Sequence, residues 1–319
     1  MQVFIKKFIC TTILFFSLVS FGQSANDKVV YLDSLGRDSD SINYAIKRII
    51  REYSLDKNKY LLEEFTKKSL VFSVEVTDKD LLIKNGNFTF FYENGNKKKT
   101  GIYEKNSILG NSTEWYENGK IKAEFLYVFK NNVYESNVIS YWDENEVQKV
   151  KEGNGFCEFK INSIDKEVVL RGNVLNGLFE GKWNTTPEEY PYFEEYYSKG
   201  KLLNGVRKDS KYKSIYYTEV SVQPSPKDGM NEFRKFIGSQ IKTKKQKSKI
   251  DGTVIVKFFV DSQGKIQNPI IVKSLNDYFD TQIIKVLKNS EKWTPGTYRG
   301  VNVKAYYTLP VKIKVDESN

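Results

Sequence analysis

One short motif recurs at a fixed distance, and nothing else in the chain restricts its fold as strongly. Phe91-Tyr92-Glu93-Asn94-Gly95-Asn96 returns as Trp115-Tyr116-Glu117-Asn118-Gly119-Lys120, 24 residues further on. Weaker copies stand at Tyr141-Trp142-Asp143-Glu144-Asn145 and Tyr196-Tyr197-Ser198-Lys199-Gly200-Lys201, with a Gly177-Leu178-Phe179-Glu180-Gly181-Lys182-Trp183 fragment between them. An eroded copy begins near Glu64-Phe65-Thr66-Lys67. A period of this size marks one supersecondary unit that cannot bury its apolar face alone and must lie against its neighbours. Asn-Gly is the strongest two-residue hairpin signal, which predicts type I′ tips with positive φ at both residues of Asn94-Gly95 and Asn118-Gly119. The flanks alternate as strands should: Phe88, Phe90 and Tyr92 against Asn87, Thr89 and Phe91, then Ile121, Ala123 and Phe125 against Lys122 and Glu124. The expectation is a ribbon of antiparallel β-hairpins over residues 27–217. An aromatic share of 14% supports strands, since flat rings pack well on a pleated, half-buried surface. Ahead of the clear repeats two readings stay open. Ile42, Ile46, Ile49, Ile50 and Tyr53 fit a helical face, while Tyr44, Ile46, Arg48 and Ile50 fit an irregular strand.

The N-terminus reads as a secretory signal over residues 1–22. Lys6 and Lys7 precede an apolar run from Phe8 to Val19, and Ser20 and Gly22 stand before a cut at Gln23. The run is shorter than the roughly 20 residues of a spanning helix, which favours cleavage over anchoring. Losing the two lysines takes the formal charge from +10 to +8, still a basic exported chain, for which envelope partners fit and nucleic acid does not. Cys10 would leave with the signal, so Cys157 remains as a lone thiol with no disulfide partner and the role of a small buried hydrophobe. The chain has no histidine, which removes Ser-His-Asp and Cys-His catalysis and every His-ligated metal site. The carboxylate pairs Glu188-Glu189 and Glu194-Glu195 read as a solvated edge, and Gly153-Asn154-Gly155 as a tight turn. The expectation is a protein without catalytic, cofactor or metal residues.

Pro224 and Pro226 break the pattern and make residues 218–226 a linker. Beyond it, Met230, Phe233, Ile237 and Ile241 keep helical spacing with Asp228 as cap. Lys242, Lys244, Lys245, Lys247 and Lys249 form a basic joint, read as a solvated connector. Val254, Val256, Phe258 and Val260 define a strand, Asp261-Ser262-Gln263-Gly264 a turn, and Ile270 and Val272 a returning strand. Phe279, Ile283, Val286 and Leu287 mark a second helix capped by Asn276 or Asp277. One long final strand is expected to run from Val301 through Val303, Ala305, Tyr307 and Leu309 to Val315. Trp293 is expected to close this core.

This order, with Gly252-Thr253-Val254-Ile255-Val256, Asp261-Ser262-Gln263-Gly264, Lys292-Trp293-Thr294-Pro295-Gly296 and Leu309-Pro310-Val311, resembles the TonB C-terminal domain over Pro226 to Val315. The Tyr-x-x-Gly-Lys units resemble MORN-type repeats, which imply a scaffold or binding surface. The resulting expectation is a mainly β region followed by an α+β domain of α-β-β-α-β order over residues 227–316. The TonB resemblance implies a periplasmic domain that captures an N-terminal segment of an outer-membrane transporter by strand pairing. Two departures stand out: Thr243-Lys244-Lys245-Gln246 replaces the Tyr-Pro-x-x-Ala segment, and an inner-membrane helix with a proline-rich spacer is missing. Pro310 lacks an N–H and belongs on an edge strand. The expected docking segment is therefore Val303, Lys304, Ala305, Tyr306, Tyr307 and Thr308. Two alternatives are a transducer anchored by a retained signal, and an envelope scaffold whose aromatic rings stack on peptidoglycan glycans.

Overall fold

The computed structural model describes residues 25–34, 36, 38–130, 133–164, 166–186, 190–211, 213–242 and 250–315. The expected signal, the pair Glu188-Glu189, and Lys244, Lys245, Lys247 and Lys249 of the basic joint lie outside these residues. Among the described residues, sixteen strands form one antiparallel sheet in which each strand pairs with its neighbours in sequence. The first five are β1 (Lys28–Leu32), β2 (Ile46–Ile50), β3 (Tyr60–Phe65), β4 (Leu70–Asp78) and β5 (Ile83–Phe91). Around the clear repeats follow β6 (Lys97–Glu104), β7 (Ser107–Trp115), β8 (Ile121–Lys130), β9 (Val133–Trp142) and β10 (Gln148–Lys151). The sheet ends with β11 (Asn154–Asn162), β12 (Glu167–Leu175), β13 (Leu178–Asn184), β14 (Tyr192–Ser198), β15 (Lys201–Lys208) and β16 (Ser214–Tyr217). The question left open before the repeats resolves toward strand, with Ile46–Ile50 as β2.

The two rims of the sheet use different turn chemistry. At the Asn-Gly rim the expected type I′ geometry is corrected, because only the glycines take positive φ, +87° at Gly95 and +85° at Gly119. The Gly95 N–H donates to the Tyr92 carbonyl at 3.0 Å and the Tyr92 N–H to the Asn96 carbonyl at 2.9 Å, with the same pattern at Tyr116, Gly119 and Lys120. That is a type I turn followed by a left-handed residue, one residue longer than a type I′ tip. Asn94 stays right-handed, its side chain accepting the Asn96 N–H at 2.9 Å. True two-residue turns with positive φ at both positions occupy the opposite rim, at Lys105-Asn106, Glu152-Gly153, Asn176-Gly177 and Lys199-Gly200. The repeat tyrosines join the units, since the Tyr92 hydroxyl donates to the Trp115 carbonyl and the Tyr116 hydroxyl to the Trp142 carbonyl, both at 2.8 Å.

A single sheet buries an apolar face only by coiling on itself or by gaining a cover. Coiling is evident where the Val138 N–H donates to Gly177, Gly177 to Gly153, and Gly153 to Ile139, which bring the β10–β11 and β12–β13 tips onto β9. Within that coil Phe179 and Trp183 stack at 3.7 Å, and the Trp183 indole N–H reaches the Asn173 carbonyl at 3.0 Å. Gly172 makes room for this ring, because a Cβ there would stand 2.4 Å from Trp183 Cδ2. Cys157 is buried beside this cluster, and burial pushes its thiol up to about 12, so it stays protonated and behaves as a hydrophobe.

The C-terminal part is covered by helices. It contains β17 (Ser221–Val222), α1 (Gly229–Gln240), β18 (Ile250–Val260), β19 (Ile266–Lys273), α2 (Asp277–Lys288), β20 (Gly296–Tyr298), β21 (Val301–Val303) and β22 (Ala305–Val315). The strands β19-β18-β22 form one three-stranded sheet and β17-β20-β21 another. Phe233 and Ile237 of α1 and Phe279, Ile283 and Leu287 of α2 are buried against Val254, Val256 and Phe258 of β18. Asn276 caps α2 by accepting the Phe279 N–H at 3.0 Å, whereas Asp228 precedes α1 without a side-chain cap bond. Trp293 is 2% exposed and meets Phe233, Phe258 and Tyr307 edge-on at 5.0, 5.5 and 5.2 Å. The long final strand expected from Val301 is broken at Lys304. Val303 pairs with Gly296, whereas Ala305 pairs with Val260 in the other sheet.

The two parts are joined by a buried ion pair. Arg299, at the turn between β20 and β21, donates through Nε to Glu195 Oε1 of β14 at 2.7 Å and through Nη2 to Oε2 at 3.3 Å. The same carboxylate accepts the hydroxyls of Tyr217 at 2.7 Å and Tyr197 at 2.9 Å. The guanidinium lies 4.9 Å from the Phe193 ring centroid, and the Arg299 N–H donates to Val220 at 2.8 Å. This overturns the solvated-edge reading at Glu194-Glu195. Glu195 is fully buried, while Glu194 is held below the usual carboxylate range by Lys182 and then Tyr192.

Three outcomes follow from this packing. Gly119→Val, which forces a β-branched residue to positive φ, should destabilise the hairpin sheet by about 1–3 kcal/mol in urea denaturation. Trp293→Ala should cost about 3–5 kcal/mol as a large-to-small core change; an unmoved denaturation midpoint would place Trp293 outside the core. Arg299→Ala leaves a buried carboxylate without its cation and should cost about 3–5 kcal/mol, with the hairpin sheet and C-terminal part then melting in separate calorimetric transitions.

Candidate functional site

In the sheet β19-β18-β22 the central strand is β18, so β22 has a partner on one side. Its register with β18 runs without a shift through eleven residue pairs, from Val260↔Ala305 to Ile250↔Val315. Proline supplies the phase. Pro310 has no N–H to give, and it takes a position whose backbone points away from β18. By alternation the N–H and C=O groups of Tyr306, Thr308, Lys312 and Lys314 also point to the open side, and those of Ala305, Tyr307, Leu309, Val311 and Ile313 to β18. The side chains keep the same alternation, with Leu309, Val311 and Ile313 buried and the even-numbered residues exposed. The opposite edge is blunted: β19 pairs with two register shifts, contains Pro269, and has Asn268 at φ +46°.

Beside the open edge runs a groove of about 300 Å³. Arg234, Ile237, Gly238 and Ile241 of α1 and its end form one wall, and residues 309–314 of β22 the other. Further along, the Lys304 ammonium lies 4.0 Å from the Phe259 ring centroid and 5.1 Å from that of Tyr306. Tyr306 is 61% exposed. The edge thus mixes apolar side chains of α1 and β22 with the basic Arg234, Lys312 and Lys314 beside α1 and Lys304 at the start of the strand, a combination suited to an extended acidic or mixed segment.

The six residues of the expected docking segment are divided. Ala305, Tyr306, Tyr307 and Thr308 lie on β22, Lys304 bridges two strands, and Val303 is paired on β21. Sequence reasoning missed Lys312 and Lys314, whose exposed alternation was nevertheless legible. It also missed Arg299, whose partner lies 104 residues away and leaves no local signal. Among the described residues no three His, Cys, Asp or Glu side chains gather as a metal site, and no helix is long and apolar enough to cross a membrane.

No curated protein matches the chain. Residues 243–314 match the family model described as the Gram-negative bacterial TonB protein C-terminal, a non-enzymatic domain family of outer-membrane transport, and the open edge of β22 lies in this TonB-type segment.

Proposed function

We propose that the C-terminal domain captures an extended N-terminal segment of an outer-membrane transporter, or of another envelope protein, as an added strand on β22. The observation that carries this reading is the unbroken register of β22 with an open side whose phase Pro310 sets. Main-chain hydrogen bonds would supply affinity, and the α1 groove and flanking lysines would supply selectivity. The hairpin sheet, with its MORN-like repeats, acts as a rigid scaffold that presents the domain in the periplasm. Its repeat tyrosines Tyr92 and Tyr116 are committed to inter-unit hydrogen bonds, which favours scaffolding over sugar stacking.

The test uses the full chain and synthetic peptides copying transporter N-terminal segments, with binding followed by calorimetry. Tyr306→Pro and Lys312→Pro each remove an outward N–H without touching the ladder to β18, so both should abolish capture while the fold survives. Lys304→Ala should slow association more than it lowers stability, because its charge acts at the rim. Peptide binding that persists in both folded proline variants would move the docking surface elsewhere.

A further inference from the structure

The outer face of the β19-β18-β22 sheet does not face open solvent along its whole length. Ile255, Lys257, Val272 and Thr308 line a cleft of about 530 Å³ whose other wall belongs to the early hairpins, including Arg48, Leu62, Glu64, Phe72 and Lys84. The volume is that of a small-molecule site. Its walls are mixed in character: aliphatic and aromatic carbon from Leu62, Phe72, Leu82, Ile255 and Val272, and hydroxyl and amide groups from Thr308 and Asn106.

The charges in this cleft do not balance. Glu64 is the one carboxylate among the lining residues, and it is already bound by Arg48, with Nε at 2.8 Å and Nη2 at 2.5 Å from the same oxygen. Lys84 and Lys257 make no ion pair among the described residues. The Lys84 ammonium rests against the faces of Tyr103 and Phe72, at 5.1 and 5.3 Å, attractive contacts that supply no counter-charge. Lys257 is exposed at the mouth of the cleft, and partial desolvation there, then the like charge of Arg48 and Lys84, holds its ammonium below the usual lysine range. Burial likewise lowers Lys84. Lys84, Lys257 and Arg48 thus line one cleft where two separate parts of the fold meet, with Glu64 as its single carboxylate, so the cleft carries a net positive charge that favours an anion.

We propose that this cleft is a binding site for a small amphipathic anion, with a phosphate or carboxylate head between Lys84, Lys257 and Arg48 and a short apolar body against Leu62, Phe72 and Ile255. The head would accept charge-assisted hydrogen bonds from ammonium groups contributed by both parts of the chain. Thr308 lies on β22, so an occupant would touch the edge strand from its outer face. The site does not depend on what that strand captures.

Octyl phosphate is the probe, titrated into the full-length protein by calorimetry and followed by thermal melting. Saturable one-site binding with a raised melting temperature is expected. The paired substitution Lys84→Met with Lys257→Met should weaken binding by about tenfold or more, as the loss of two charge-assisted contacts implies. The unliganded double variant should melt close to the parent, since neither lysine gives up an ion pair and methionine keeps the apolar stem against Phe72 and Tyr103, which separates lost binding from lost folding. Lys211→Met, at an exposed loop, should leave affinity unchanged. Absence of saturable binding would overturn the proposal, as would equal affinity in the folded double variant or equal binding of octyltrimethylammonium. Inorganic phosphate binding as tightly as octyl phosphate would overturn the apolar half of the assignment.

Discussion

The contact between Glu195 and Arg299 is the constraint on which the arrangement of the molecule rests. Taking both ions out of water costs several kcal/mol each, offset here only because the carboxylate is saturated by the guanidinium and two phenols. Such a pair is a poor source of net stability and a demanding source of geometry. It fixes the β20–β21 turn to β14, and therefore fixes which face of the β19-β18-β22 sheet looks toward the early hairpins. The cleft and the open edge of β22 both inherit their orientation from it.

The hairpin sheet meets this demand because its units are linked as well as paired. Tyrosine hydroxyls reach the next unit's backbone, and the side chains of Asn94 and Asn96 both donate to the Glu117 carbonyl, so the Asn94-Gly95 tip is held by its successor. The two rims divide the work. Compact two-residue turns let one rim fold inward onto β9, and the longer bulged loops leave the other rim at the surface. Tight packing at Trp183 and Gly172 then turns a potentially floppy meander into a fixed wall.

The repeated Asn-Gly tips and the period-two alternation around them made the hairpin region readable, since both are local signals. The α-β-β-α-β order was readable for the same reason, and Pro310 alone pointed to an edge strand. The turn type at Asn94-Gly95 was not, because two-residue and bulged loops share the same dipeptide and differ in how far the hydrogen-bonded register extends. The break at Lys304 hid behind unbroken alternation: Val301, Val303, Ala305 and Tyr307 look like one strand although two sheets claim them. Glu195 read as surface because its partner comes from another part of the chain, and the cleft needs Lys84 and Lys257, which are remote in sequence.

The short strand β17 gives the molecule a definite mechanical character. It pairs with β20 through two residues, Ser221↔Tyr298 and Val222↔Thr297, whereas β22 pairs with β18 through eleven. Tension applied lengthwise along β22 loads its ladder in shear, with many hydrogen bonds sharing the pull. The β17–β20 seam, extended by the Ser225–Thr294 bridge and the Arg299 bond to Val220, has far fewer bonds to share such a load. The seam is thus the compliant element of the C-terminal part and the β22 ladder the stiff one.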